Sequence, residues 1–204
     1  RRQRQMCIRD SAKSGYVNLL TSDRMNAKNP GDNKLMVKSR SDFLNKGYYG
    51  HLLEKLCDSV NEVISENDVI LDAGCGEGYY TSGIYNYLRG KGITVKTAGI
   101  DISKYAVDKA AKRCHDIEYA VGSIFHIPVS DSSCDILLNV FAPFCCDEFV
   151  RVINDVGYMI MIIPGRKHLW ELKSIVYEKP YENNPKSEYI EGFKFLKRYN
   201  AVSY

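Results

Sequence analysis

A chain of 204 residues with 45% hydrophobic content is long enough for one domain with a sizeable core, and nothing in its composition points to disorder. The longest uninterrupted apolar run, residues 158–163, is far short of the ~20 residues that a membrane helix needs; the basic stretch RRQRQMCIRD has no apolar segment behind it, so the expectation is a cytoplasmic protein without a signal peptide. The formal net charge is +3 but uneven, with 12 Lys or Arg against 6 Asp or Glu in residues 1–60 and 16 against 19 in residues 61–204, so that a basic arm precedes a mildly acidic core. Such an arm is either a footprint for nucleic acid or a solvated surface.

Between Gly31 and Val63, apolar residues recur at helical spacing, as at Leu52, Leu53, Leu56, Val60 and Val63. This predicts two helices parted at Lys46 and Gly47. Residues 69–73 read as a buried strand, residues 74–78 as a glycine turn and residues 79–88 as the helix that follows it. A second strand is expected over 94–100. Ser103 then caps a helix running to Arg113, with Ala106, Val107, Ala110 and Ala111 on its inner side. Residues 117–121 and 134–141 give a third and fourth strand, 147–154 a short helix, 157–163 a fifth strand closed by Pro164 and Gly165, and 167–178 a last helix. Strands and helices alternating at this spacing predict a parallel α/β sheet of Rossmann-like type, which binds ligands at the carboxyl ends of its strands. The glycine turn, Gly122 and Ser123, Asn139 to Pro143, and Pro164 to His168 should therefore share one rim. The expected division is an N-terminal arm with helices, residues 1–65, and an α/β domain, residues 66–204.

The segment LDAGCGEGYY, residues 71–80, separates two cofactor classes that use this architecture. A dinucleotide fingerprint is G-x-G-x-x-G, with the pyrophosphate at a helix N-terminus. Here Gly74, Gly76 and Gly78 give G-x-G-x-G, and Tyr79 stands where the dinucleotide pattern wants its third glycine. Asp72, two residues before the first glycine, would repel a pyrophosphate and could accept a hydrogen bond from an ammonium group. Asp101 lies near the roughly 20-residue offset at which an acid meets a ribose diol. The alternative is a tight turn in any α/β domain. The D-x-G-x-G-x-G run resembles motif I of the class I S-adenosylmethionine-dependent methyltransferases. That resemblance implies that the backbone around Gly74, Gly76, Glu77, Gly78 and Tyr79 packs on the methionine part of the cofactor. It puts Asp101 and Ile102 at the ribose and Ser123 at the adenine edge.

More specific segments follow: Ala12-Lys13-x-Gly15-Tyr16-Val17-Asn18-Leu19-Leu20, Pro30-Gly31-Asp32, Phe43-Leu44-x-x-Gly47-x-Tyr49, Phe141-Ala142-Pro143, and Pro164-Gly165-x-x-His168-Leu169-x-Glu171-Leu172-Lys173. Together they resemble the bacterial 23S ribosomal RNA guanine-N1 methyltransferases. The resemblance implies methylation of a guanine in a hairpin loop of 23S ribosomal RNA, and some members of that family confer resistance to tylosin-like macrolides. It also implies that Tyr49, as a lid from the arm, and His168 face the cofactor. A homodimer is left open. Family members begin with a small zinc module, and the class I fold usually closes its sheet with a reversed final hairpin. Here Cys7 stands at a histidine ligand position and Gln3 at a cysteine position, so no zinc is expected, and the last strands are expected to be truncated. The seven cysteines are odd in number and hold no C-x-x-C pair, which argues against a disulfide scaffold.

Methyl transfer from a sulfonium is an in-line displacement, and alignment of the reactants can supply ~7 to 11 kcal/mol of the barrier. Guanine N1 carries a proton at neutral pH, so a positioned base would help. Candidates on the rim are Asp147, Glu148 and His168, although a surface carboxylate at a helix start is an equally good account of the first two. Phe141 and Pro143 end the fourth strand, where the target base could stack. Because N1 lies on the Watson-Crick edge, that guanine must be unpaired or flipped out. A small-molecule methyltransferase and a non-catalytic cofactor-binding module remain as alternatives.

Overall fold

The structure is a computed structural model that describes residues 12–20, 30–184 and 189–200. Its centre is a six-stranded sheet in which every neighbouring pair is parallel. In chain order the strands are β1 (Val17–Asn18), β2 (Val69–Ala73), β3 (Lys96–Asp101), β4 (Glu118–Val121), β5 (Cys134–Val140) and β6 (Ile153–Ile162), arranged β1-β4-β3-β2-β5-β6. The helices are α1 (Lys34–Asn45), α2 (Gly50–Asn61), α3 (Tyr79–Gly90), α4 (Lys104–Arg113), α5 (Cys146–Val152) and α6 (Trp170–Val176). Strand order reverses between β2 and β5, which makes a crevice at their carboxyl ends.

Alternate residues of the central strands feed opposite layers, as the two-residue period of a strand requires. Leu71 and Leu137 pack with Phe149 and Val152 on one side. Ile70, Ile136 and Leu138 pack on the other against Leu56 and Val60 of α2 and Ile84 and Leu88 of α3. A third cluster joins the arm to α4 and β4 through Tyr16, Val107, Ala110, Tyr119 and Val121.

The break between α1 and α2 falls where the sequence puts it. Asn33 caps α1 by accepting from the Met36 N–H, and Gly47, at φ 80°, turns the chain out of the helix. Three features differ from expectation. The arm contributes a strand, β1, pairing Val17 with Ala120 and Asn18 with Val121; two residues are too few to show any periodicity. The last strand begins at Ile153 rather than Gly157, because the register slips between Cys134 and Ile136 and the extra residues are accommodated as a bulge. A Cβ on Gly157 would lie 2.5 Å from the Ile153 side chain and 2.9 Å from the Asp135 carbonyl, so that bulge demands glycine. The final helix is shorter than residues 167–178, starting only after Leu169, whose φ of 56° is left-handed.

Among the described residues no strand follows β6; the pairing beyond it is an isolated bridge between Ile190 and Phe193, and a second isolated bridge joins Ser123 to His126. Among the same residues no helix is long and apolar enough to cross a membrane.

Candidate active site

The three glycines between β2 and α3 all adopt left-handed φ values, 94° at Gly74, 55° at Gly76 and 78° at Gly78, but for different reasons. A Cβ on Gly74 would sit 2.4 Å from the Ala142 Cβ, so this glycine lets the loop after β5 approach. A Cβ on Gly78 would meet Ala110 and the Tyr119 hydroxyl, both at 2.9 Å, so this one lets α4 approach. Gly76 would meet nothing within 4 Å; its side of the loop is open.

The open loop is fastened to the end of β3. Gly76 N–H donates to one oxygen of Asp101 at 3.0 Å and Ser103 N–H to the other at 2.8 Å. Burial pushes the Asp101 pKa up, and these two amides pull it back down. Each oxygen keeps a lone pair for a ligand hydroxyl. The arm crosses directly over this point: the Ser103 hydroxyl donates to the Asp32 carbonyl at 2.6 Å, and a Cβ on Gly31 would lie 2.8 Å from Ile102. Ile102 is 37% exposed.

Asp72 and Glu77, both expected at the cofactor, are buried with different partners. Asp72 accepts from the Thr81 hydroxyl at 2.5 Å through Oδ2, while Oδ1 is buried without a partner. Burial raises its pKa to about 7, against the opposing Thr81 hydrogen bond and helped by the charge of Asp101. Glu77 forms an ion pair at 2.5 Å with Arg113 of α4, which also donates to Asn45 Oδ1 and the Glu77 carbonyl. The Glu77 carboxylate therefore ties the glycine loop to α4 and α1. Tyr79 also lies beside Arg113, with the guanidinium 5.7 Å from its ring centre.

Ser123, after β4, lines a cleft with Leu19, Leu20, Pro128, Glu148 and Arg151. Its hydroxyl accepts from the Phe125 N–H at 3.2 Å. Glu148 is bound by Arg151 at 2.8 Å and by the Ile127 N–H at 2.6 Å. The Arg151 contact, and then that amide, hold its pKa below the usual carboxylate value, so it is a poor proton acceptor. Asp147 is exposed at the first turn of α5.

On the other side of the glycine loop the structure brings together three residues that are far apart in sequence. Tyr49 Oη lies 3.0 Å from His168 Nε2, and the His168 ring stacks on Phe141 with centres 5.6 Å apart and planes at 23°. Tyr49 meets Phe141 edge-on at 6.1 Å. Burial, and then the charge of Lys173, lower the His168 pKa, so its imidazole is neutral at pH 7. Phe141 has a φ of 51°, rare for a bulky residue, and is 40% exposed. Backbone strain of this kind persists only where surrounding contacts enforce it. The enforcing contact is Asn139, fully buried, which donates to the Ala73 carbonyl at 3.1 Å and the Pro143 carbonyl at 2.9 Å, pinning the loop to the end of β2. Pro143 itself is exposed on that loop.

Asn139, Thr81 and Arg113 organise the site; the sequence places Asn139 on the ligand rim but gives none of the three a role. Cys7 and Gln3 lie outside the described residues. Among the described residues no group of three or more His, Cys, Asp or Glu side chains is placed to hold a metal ion.

The family described as "Methyltransferase domain" matches residues 64–197. A 23S rRNA (guanine(748)-N(1))-methyltransferase of Streptomyces fradiae is 30% identical over 167 residues, which cover 80% of this chain and 57% of that protein. YxjB of Bacillus subtilis (strain 168), provisionally named a 23S rRNA (guanine-N(1)-)-methyltransferase, is 27% identical over 188 residues, 90% of this chain and 65% of its own length. The chain thus spans about three fifths of the length of these curated relatives. A Methanococcus maripaludis structure described as an S-adenosyl-L-methionine-dependent methyltransferase, a provisional assignment, aligns with a TM-score of 0.54 at 17% identity over 74% of each chain, a likeness of fold. The parallel sheet, the glycine loop and a family match over most of its length make this chain a member of the class I methyltransferase-domain family.

Proposed function

We propose that this chain is the catalytic part of an S-adenosylmethionine-dependent enzyme that methylates N1 of an unpaired guanine in 23S ribosomal RNA. The observation that carries the reading is the Tyr49–His168–Phe141 cluster beside the glycine loop. It joins one proton-accepting group to an exposed stacking ring, which is what guanine N1 requires. The names of the sequence relatives point the same way.

The residues present fit the cofactor. Gly76 leaves open the side of the loop where a Cβ would project, Asp72 Oδ1 is a buried acceptor without a partner, and Asp101 holds spare lone pairs. Asp101 would take the ribose hydroxyls, Asp72 the ammonium group, Ser123 the adenine edge, and Tyr49 would cover the site from the arm. When bound, S-adenosylmethionine supplies a methyl group on a sulfonium whose leaving group is a neutral thioether.

The protein's own task is to orient the guanine and remove its N1 proton. Phe141 presents its exposed face to the base. His168 is the proton acceptor. With Nε2–H donating to Tyr49 Oη, Nδ1 would keep its lone pair and would take the N1 proton, leaving on N1 the electron pair that a bound methyl donor would need.

Radiolabelled methyl transfer to unmodified ribosomal RNA, followed by mapping of reverse-transcription stops, tests the reading. One new stop at a guanine is expected, since N1-methylguanine blocks pairing. Binding of the cofactor without label in RNA would overturn it in favour of a small-molecule enzyme or a non-catalytic module. If the reading extends to macrolide response, a susceptible strain expressing the active protein gains tolerance to tylosin-like macrolides and one expressing His168→Gln does not.

A further inference from the structure

Outside the site just described, the rings do not stop at Tyr49. Phe43, on the last turn of α1, lies 5.5 Å from Tyr49 edge-on and 5.0 Å from Tyr48. Phe43, in a helix whose inner stripe is Val37, Ser41 and Leu44, is 43% exposed, and Tyr48, in the turn that follows, is 55% exposed. A ladder of aromatic rings thus leads from the surface, Tyr48 to Phe43 to Tyr49 to Phe141, and ends on His168. Many rings are exposed singly on this chain, but here they are contiguous with the site, and it is a contiguous exposed patch that marks a binding surface.

The charges carried by α1 and the turn after it have one dominant sign. α1 carries Lys34, Lys38 and Arg40 against the single acid Asp42, and Lys46 follows at the helix end. Lys38 pairs with Asp42 and Arg40 with Asp32, both at the surface, where such pairs are weak and exchange readily with a phosphate. Lys34 and Lys46 are exposed. Flat apolar rings interleaved with cations match single-stranded nucleic acid, whose bases stack while its phosphates meet the lysines.

We propose that Phe43 and Tyr48 form a second base-stacking site, which holds an unpaired RNA nucleotide next to the one presented to Phe141. The inference deepens the proposed function and rests on it: it makes the substrate an RNA loop with at least two splayed bases rather than a lone flipped guanine. It also gives the end of α1 and the turn after it a reason to keep Phe43 and Tyr48 at the surface.

The test uses a ribosomal RNA hairpin with an unpaired guanine in its loop, with 2-aminopurine placed in turn at each neighbouring loop position. With the full chain, fluorescence at one neighbour should be quenched by stacking; in Phe43→Ala/Tyr48→Ala the quench is lost and the hairpin Kd rises about tenfold or more. Phe43→Tyr/Tyr48→Phe, which keeps both rings, should restore both. S-adenosylmethionine affinity of the Ala variant should match that of the parent, which shows that it is folded. If no loop position distinguishes the parent from the Ala variant while the RNA still binds, the stacking site is overturned and the methyltransferase reading stands. A ring-dependent quench without methyl transfer would support the stacking site and remove the enzyme reading. Failure of the parent to bind the hairpin at all would overturn both.

Discussion

The two halves of the site are built by opposite means. The cofactor half, from the glycine loop to Asp101, is a backbone structure: three left-handed glycines, two amides on one carboxylate, and buried acids at Asp72 and Glu77. The acceptor half is a side-chain structure, assembled from Tyr49 in the arm, Phe141 after β5 and His168 after β6, all partly accessible. A backbone cradle can be rigid before any ligand arrives, and it recognises what every member of a fold shares. Rings contributed by separate loops can be changed one at a time, so the acceptor is where specificity can vary on a common frame.

The sharpest way to break this division is at His168. His168→Gln should lower kcat by about 10²- to 10⁴-fold, the range for a positioned base, while cofactor affinity falls far less. A comparable loss in both would merge the halves. The acceptor works only when neutral, and its pKa lies below the ordinary 6.5 because burial disfavours the imidazolium. Activity should therefore rise with pH through a point below 6.5 and be flat from there to pH 8; the rising limb should be absent in the Gln variant.

The glycines test the other half against itself. Gly74→Ala combines a left-handed residue, about 1–2 kcal/mol, with overpacking against Ala142, about 1–3 kcal/mol, so roughly 2–5 kcal/mol of stability should be lost. Gly76→Ala carries only the first cost, because no atom lies within 4 Å, yet its methyl projects into the open side of the loop. Denaturant unfolding should rank Gly74→Ala as the more destabilised, whereas calorimetry should show a clear loss of cofactor affinity in the less destabilised Gly76→Ala. Asp101→Asn keeps the shape and removes the charge that accepts two amides and the proposed ribose diol. Its cofactor affinity should fall about tenfold or more; unchanged affinity would sink the ribose assignment.

The same division explains what could be read from the sequence. Glycines that need positive φ and an acid at a fixed offset leave a local pattern, so the loop, Asp101 and the parallel sheet were legible. So was the break at Gly47. Glu77 sits inside the motif, but its partner Arg113 is 36 residues away and no spacing rule connects them. Asn139 reaches Ala73 across 66 residues, and Tyr49 reaches His168 across 119. The Tyr49 and His168 positions came from likeness to a family, because two polar rings in a sequence read equally well as core. The strand β1 and the bulge before Gly157 were missed because pairing with β4 and β5, rather than any periodicity of their own, makes them strands.

Asp72 supplies the smallest and most discriminating effect. In the unfolded chain its carboxyl ionises near 3.8, and in the folded protein near 7, because burial penalises the charge. Between those values the folded state holds more protons than the unfolded state, so this group's contribution to stability falls as pH rises. Asp72→Asn should remove that slope. An ammonium group at Oδ1 would favour the carboxylate, and cofactor binding should then release a fraction of a proton. The release from Asp72 should be greatest near pH 7. Titration calorimetry in buffers of different ionisation enthalpy measures it as the difference between parent and Asp72→Asn, since any proton taken up by the ligand's own α-amino group is common to both: at pH 7 the parent should show the larger proton release. Equal release by the two proteins at pH 7 would mean that Asp72 keeps its proton and braces the loop through Thr81 alone, leaving the ammonium group to backbone carbonyls.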